Sequence, residues 1–505
     1  MKNQVQLITY VDRLAGGGFA ELRDLLAGPL RGVFGGVHLL PFFHPIDGSD
    51  AGFDPIDHAR VDARLGDWDS VRSLNASVDV MADVIVNHIS ARSPQFADFS
   101  EKASASRYAG LFLTLDRIFP DGVREADLLR IYRPRPTLPF TLATLQNGEK
   151  RVLWTTFTPE QIDIDLRHPQ GRAYLDRILE TFSKAGISMA RLDAAGYAIK
   201  KPGTSCFMIP ETFEFLTELA ERGRALGIES LVEVHAYYKQ QIEIAQRVDR
   251  VYDFALPPLV LHAIYKGDAR PLKNWLTISP RNCVTVLDTH DGIGTMDVGA
   301  ESSRPGAAPG LLSPAAIDAL VKEIHERSNG ESRLATGAAA SNLDLYQVNC
   351  SYYDALGRDD GDYLLARALQ FFAPGVPQVY YVGLLAGTND VELLQKTGVG
   401  RDINRHYYTP AELKAALERP VVQELLQLIR FRNAHPAFGG EFSLSAGPDH
   451  TITLHWVSGD AAAALDVDLA TRHFAIRCTE TPGREQWSSL PVTFEGRVGD
   501  PAWAR

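Results

Sequence analysis

The feature that most constrains this chain is a rhythm. A short, β-rich apolar run is followed by a stretch of helical period, and the pair recurs eight times. The apolar runs fall at residues 4–11, 36–43, 80–88, 187–194, 230–235, 250–256, 283–291 and 377–383. Strands buried on both faces should be nearly continuous in apolar residues, and VDVMADVIV and CVTVLD are. The intervening stretches carry a one-sided apolar stripe. Leu22, Leu25 and Leu26 share a face in 19–30, and Leu175, Ile178, Leu179 and Phe182 do so in 172–185. Residues 211–226 and 362–372 read the same way. Parallel strands need a crossover between them, and a helix supplies it. Eight such units predict an α/β fold, a (β/α)8 TIM barrel.

Two intervals are too long to be simple connections. The first, after the third strand, holds the proline-rich IYRPRPTLPF; the second, after Asp291, holds ESSRPGAAPGLLSP and TGAAASNLDLYQVN. Long insertions at the strand C-termini of a barrel build active-site walls. From about Gly439 the pattern changes to short alternating segments such as TITLHWVS and HFAIRC, which predict a small, β-sandwich-like end domain. The expected division is therefore a catalytic barrel of residues 1–86, 168–292 and 358–437. An insertion covers 87–167, a second insertion 293–357, and a C-terminal β domain 438–505.

At 505 residues the chain exceeds what one compact core usually holds, which fits that division. Lys and Arg total 51 against 63 Asp and Glu, a formal net charge of −12. That argues against wholesale binding of nucleic acid or anionic membrane, while leaving room for a local basic pocket. Four scattered cysteines with no Cys-x-x-Cys pair give neither a disulfide framework nor a zinc motif. No apolar run has signal-peptide or membrane-span length, so a cytoplasmic location is expected. Gly16-Gly17-Gly18 lacks the spacing and acidic partner of a nucleotide site and reads as a loop.

The chemistry gathers where strands end. The third ends in Asp83-Val-Ile-Val-Asn87-His88, the fourth in Arg191-Leu-Asp193, the fifth in Glu233-Val-His235, the seventh in Asp288-Thr-His290-Asp291. On a barrel all of these ends meet on one face, above the packed layers. Each has an ordinary reading taken alone. Arg191 and Asp193 make a structural ion pair, Glu233 a solvated strand-end charge, His290-Asp291 a turn, His88 a core histidine. Together, three carboxylates from three strands with two histidines and an arginine form a glycosidase-like set.

These segments, DVIVNH, RLDA, EVH and THD in that order, resemble the signature segments of the α-amylase clan, glycoside hydrolase family 13. QLITYVDRL, HLLPFFHPIDGSDAGFDPIDH, IYRPRPTLPF, GTSCFM, DRVYDFALPPL, TVLDTHDGIG, TGAAASNLDLYQVN, PGVPQVYYVG and GRDINRHYY narrow the resemblance to the sucrose phosphorylase branch. The likeness runs from the N-terminus to about Phe431 and is weak beyond it. Met189 departs from the glycine many clan members carry before RLDA, a matter of strand packing.

The resemblance implies a hexosyltransferase: reversible phosphorolysis of sucrose to α-D-glucose 1-phosphate and D-fructose, with transglucosylation to other acceptors. It implies Asp193 as nucleophile, Glu233 as acid/base and Asp291 as the third carboxylate. Arg191 would orient Asp193 and lower its pKa, while a carboxylate-rich site raises that of Glu233. His88, His290, Asp50 and Arg401 match the floor that grips glucose, with Phe53 and Phe157 as apolar walls. Tyr197, His235, Leu345, Tyr346 and Gln347 match the acceptor side, and Arg135 a phosphate-side cation with Arg133 as helper. The mechanism would be a retaining double displacement through a covalent β-glucosyl-enzyme, with catalytic carboxyls about 5–5.5 Å apart. The loop of Asp344–Gln347 is expected to shift between acceptors.

The implied partners are sucrose, inorganic phosphate, glucose 1-phosphate and fructose, without nucleic acid or membrane; a homodimer is the family expectation. Neither a cofactor nor a metal is expected, although Asn87-His88 resembles a segment that supports calcium in some amylases. The alternatives are a related phosphorylase acting on sucrose 6′-phosphate or glucosylglycerate, and a sucrose-hydrolysing α-glucosidase. A non-catalytic member of the clan is disfavoured because all three acids are present.

Overall fold

The structure, a computed structural model, describes residues 1–48, 50–135, 137–301, 308–336 and 347–479, and the backbone alone of 494–496. Eight strands close into one parallel barrel: β1 Gln6–Thr9, β2 Gly36–Leu39, β3 Asp79–Ile85, β4 Met189–Asp193, β5 Glu229–Val232, β6 Arg250–Asp253, β7 Cys283–Thr285 and β8 Val376–Tyr380. Each starts within two residues of an expected run. Their spatial order is their chain order, and β8 closes the ring on β1 with Gln378 opposite Gln6.

Register fixes what stands beneath the site. Across β4 and β3, Arg191 lies opposite Asp83 and Asp193 opposite Ile85. Alternate residues of a strand share a face, so Arg191 and Asp193 both point into the barrel, Arg191 one layer lower. Met189 sits a further layer down, buried between Met81 and Glu229 on the neighbouring strands.

The helices begin where local chemistry lets them. In α1 (Phe19–Ala27) the Glu21 carboxylate accepts the Gly18 N–H at 2.8 Å. In α2 (Trp68–Asn75) Asp67 accepts the Ser70 N–H at 2.8 Å. Both satisfy donors that a helix start leaves unpaired. In α3 (Pro169–Lys184) proline takes the first position, where its missing N–H is no loss. That helix buries Leu175, Ile178, Leu179 and Phe182, each worth roughly 1.5–3 kcal/mol on removal from water. A Leu179→Ala change would cost about 2–5 kcal/mol.

The strand ends differ from the sequence reading in one respect. Arg191 and Asp193 lie on a strand, whereas Glu233, His235, His290 and Asp291 lie just past β5 and β7, in the loops that follow. The Glu233 N–H still donates to Leu192 O at 3.2 Å, one bond beyond the regular ladder. Asp288 does not reach the barrel mouth; it pairs with buried Arg367 at 2.7 Å.

The C-terminal region is also different from the expected sandwich. Strands β9 Glu441–Leu444, β10 Thr451–Ser458, β11 Ala461–Asp468, β12 His473–Cys478 and β13 Phe494–Gly496 form one antiparallel sheet in chain order. Burial alternates along β10 and β11, so one face is covered and the other meets solvent. Among the described residues the cover is the barrel and no second sheet. The Trp456 indole packs on Phe438 and donates to Phe372 O at 2.8 Å, at the end of α4 (Asp360–Phe372).

Candidate active site

Asp193 stands at the end of β4 with one carboxylate oxygen 2.8 Å from the Arg191 guanidinium. The same Arg191 nitrogen lies 2.5 Å from Asp83, which is wholly buried and also meets His38 at 3.1 Å. Burial raises the Asp83 carboxyl, but Arg191 and His38 outweigh it and hold it at about 2. The sequence expectation for Asp193 is reversed. Burial pushes Asp193 well above the usual carboxylate range, Arg191 pulls it down, and the charges of Glu233 and Asp83 push it up again. The reason is that one arginine serves two acids.

After Asp193 the chain turns through Ala194, whose φ of 53° is unusual for a residue with a side chain. The turn sends the Ala194 N–H to Glu233 Oε2 at 3.2 Å. Strain of this kind is held where the surrounding structure over-determines the position. The next residues approach the Phe207 ring so closely that a Cβ on Gly196 would lie 2.6 Å from it.

Asp291 pairs with Arg401 at 2.9 Å. Burial raises its carboxyl, yet Arg401, with His290, His235 and Arg405, holds it far below the ordinary range. His290 is sandwiched flat on Phe53, ring centroids 4.8 Å apart, and burial keeps it from protonating. His88 is likewise lowered by burial, and its Nε2 lies 3.1 Å from both Phe53 O and the Gln161 amide. Gln161 also reaches Asp50 at 3.4 Å.

These groups surround a solvent-open cavity at the barrel mouth. Asp50, Phe53, His88, Arg135, Phe157, Asp193, Tyr197, Glu233, His235, His290, Asp291 and Arg401 all line it. Arg191 acts from beneath. Gln347 does not line the cavity: its side chain is buried and accepts the Gly292 N–H at 3.1 Å, beside Asp291. Arg133 is half-buried and outside the lining, whereas its neighbours Pro134 and Arg135 are part of it. Leu345, Tyr346 and Asp344 lie outside the described residues, and with them the expected loop shift.

Sequence reasoning missed three contributors. Tyr132 and Phe207 stack at 4.7 Å and continue into Tyr197 and Phe157, forming an aromatic wall. Their segments, IYRPRPTLPF and GTSCFM, were recognisable, but nothing local says which aromatic turns inward. The third is Asp297, 2.9 Å from His235 Nδ1.

One ligand atom each of Glu233, His235 and Asp291 lie within 4.8 Å of one another, a spacing metal ligands also show. The donor set does not suit a cation. Burial lowers His235, but Asp297, with Glu233 and Asp291, raises it to about 9, so the ring is charged and offers no lone pair. The calcium-type segment is committed elsewhere, since Asn87 accepts from the Lys200 ammonium at 2.5 Å. That ammonium also meets Asp163 at 2.6 Å.

No family model matches the chain. Individual relatives do. It is 64% identical to the sucrose phosphorylase of Agrobacterium vitis over 93% of this chain and 96% of that protein. It is 53% identical to the sucrose phosphorylase of Bifidobacterium adolescentis, with 92% of each covered. A crystal structure of sucrose 6F-phosphate phosphorylase from Thermoanaerobacter thermosaccharolyticum superposes with a TM-score of 0.89 at 38% identity, over 99% of this chain and 98% of that one.

Proposed function

The chain belongs to the sucrose phosphorylase family, and from that premise we infer the reaction at the barrel mouth. The enzyme transfers the glucosyl unit of sucrose to inorganic phosphate, giving α-D-glucose 1-phosphate and D-fructose, and runs in both directions. The observation that carries this reading is the lining of the cavity: Asp193, Glu233 and Asp291 meet there, and Arg135 and a charged His235 border the same space.

In the first half-reaction Asp193 attacks the anomeric carbon while Glu233 gives its proton to the departing fructose oxygen. Glu233 is assigned the proton because the Arg191 hydrogen bond at 2.8 Å stabilises the ionised form of Asp193. Asp291, kept ionised by Arg401, holds sugar hydroxyls and opposes the positive charge of the oxocarbenium-like transition state. Neutral His290 donates to sugar hydroxyls and Asp50 accepts from them, while His88, its Nε2 facing the Phe53 carbonyl, completes the floor beside Phe157. Phe53 and Phe157 cover the apolar ring faces.

In the second half-reaction phosphate enters where fructose left. A phosphate oxygen attacks the anomeric carbon, the bond to Asp193 breaks, and Glu233 takes the phosphate proton. Two inversions give net retention. The planar fork of Arg135 suits bidentate contact with phosphate. Tyr132, Pro134 and Phe157 from the first expected insertion and Met296 from the second line the cavity. We take the enzyme to act as a cytoplasmic homodimer; among the described residues no helix is long and apolar enough to cross a membrane.

The deciding experiment is incubation with sucrose in the presence and absence of phosphate, counting glucose 1-phosphate against free glucose. Phosphate-dependent glucose 1-phosphate is expected. Glucose at an equal rate without phosphate identifies a hydrolase instead. Faster turnover of sucrose 6′-phosphate or glucosylglycerate than of sucrose moves the assignment to a sister phosphorylase.

A further inference from the structure

Three histidines face the cavity, and one is built differently from the others. The His235 ring lies flat on Phe254, centroids 3.9 Å apart, and Phe254 in turn stacks on Tyr252. Its Nδ1 meets Asp297 Oδ2 at 2.9 Å. Asp297 is fully buried, and its second oxygen accepts the Ala236 N–H at 3.2 Å and the Gln241 amide at 2.7 Å. Apart from His235, both of these partners are neutral donors, so the carboxylate's charge is left for the imidazole.

The backbone leaves no slack around this pair. Gly294 passes so near that a Cβ there would lie 2.3 Å from Asp297 Oδ2 and 3.4 Å from His235 Nδ1. The other ring nitrogen, Nε2, is buried, makes no hydrogen bond among the described residues and lies 3.7 Å from Glu233 Oε1. His235 lines the same cavity as Glu233 and Asp193.

We propose that Asp297 is a positioning residue that locks His235 as an imidazolium with its second N–H aimed across the acceptor side, favouring an anion over water as the group that resolves the glucosyl-enzyme. A fixed cation in a partly desolvated site attracts phosphate strongly and does little for neutral water. The charged groups that face His235 are Asp297 behind it and Glu233 and Asp291 in front; Arg135 and Arg401 border the same cavity. Burial alone would neutralise the ring, and the carboxylates reverse that, so the cation persists until about pH 9. The proposal rests on the phosphorolysis reading above and adds the device that selects phosphate.

The test is steady-state turnover of sucrose by the full-length Asp297→Asn enzyme with inorganic phosphate varied, counting glucose 1-phosphate and free glucose across pH. The phosphate KM is expected to rise about tenfold to a hundredfold, with kcat changing less and the ratio of glucose to glucose 1-phosphate rising in step. The native enzyme should show its phosphate KM climbing as pH passes about 9, where the imidazolium is lost, and the variant should lack that climb. Gly294→Ala, which crowds the carboxylate from the other side, should shift the ratio the same way; Asp297→Glu should restore part of it.

A variant with the native phosphate KM and pH profile overturns the proposal, as does an equal loss of phosphorolysis and hydrolysis. Should the variants not fold, a native phosphate KM that stays flat through pH 9 overturns it by itself. Native enzyme that makes no glucose 1-phosphate removes the underlying reading and this one with it. Native phosphorolysis with an unchanged Asp297→Asn enzyme removes this one alone.

Discussion

His88 and His290 on the cavity floor and His235 on its acceptor side feel the same burial, yet they end in opposite charge states. The difference lies in the acids behind them. Asp291, beside His290, is matched by Arg401 at 2.9 Å, and Asp163, the leading acid near His88, by Lys200 at 2.6 Å. Among the described residues, Asp297, behind His235, meets no cation but the imidazole itself, and neutral donors fill its other contacts. A buried histidine is charged when the carboxylate next to it has not already been neutralised. The floor is thereby balanced for a neutral sugar, and the acceptor side is left positive for an anion.

The comparison breaks most visibly at the step both sides share. Asp193→Asn removes the proposed nucleophile, so phosphorolysis and hydrolysis of sucrose should fall together, on the order of 10⁴-fold or more. Loss of one activity alone would show that the two do not pass through a common intermediate on this residue.

Glu233→Gln comes next. It sits between the two sides, and sucrose turnover should drop roughly 10²–10⁴-fold. With α-glucosyl fluoride, whose leaving group needs no proton, the first step should recover most of that. Equal losses on both donors would take Glu233 out of the proton role.

Arg135→Ala sharpens the contrast from the acceptor side. Removing a charge-assisted contact should lower phosphorolysis about tenfold to a hundredfold while hydrolysis of the same glucosyl-enzyme changes far less. Parallel losses would make Arg135 a wall residue.

The smallest effect lies beneath the floor. Asp83 is held at about 2 in the folded protein, below its unfolded value near 4. Its stabilising contribution is present above pH 4 and is lost as pH falls toward 2, about 2 kcal/mol in all. Urea unfolding followed through that window should show a shallower loss of stability in Asp83→Asn than in the native enzyme. Identical slopes would mean that Arg191 and His38 do not hold the acid as the geometry indicates.

Much of this was legible before any coordinates. Strands such as Asp79–Ile85 are buried on both faces, so they show as apolar runs that need no partner to be read. The acids are polar interruptions at the ends of those runs, which is why Asp193, Glu233 and Asp291 stand out. Other features had no such mark. Asp297 sits in a short turn, and only the return of the chain brings it beneath His235. Tyr132 and Phe207 lie on loops whose path is set by what they pack against. Gln347 looked like an acceptor-side residue, but its pairing strand turns its amide toward Gly292. The C-terminal strands alternate as a sandwich would, because alternation records one covered face and not what covers it.

The sequence alone determined the closed parallel barrel and the convergence of the acids at its mouth, since both follow from local periodicity and the direction of parallel strands. Only the tertiary structure decided the charges: that Asp193 is pushed up although an arginine touches it, that two cavity histidines are neutral and the third is not. The physical reason is that desolvation and Coulomb energy depend on distances between groups remote in the chain, such as His235 and Asp297, and no pattern along the chain encodes those distances.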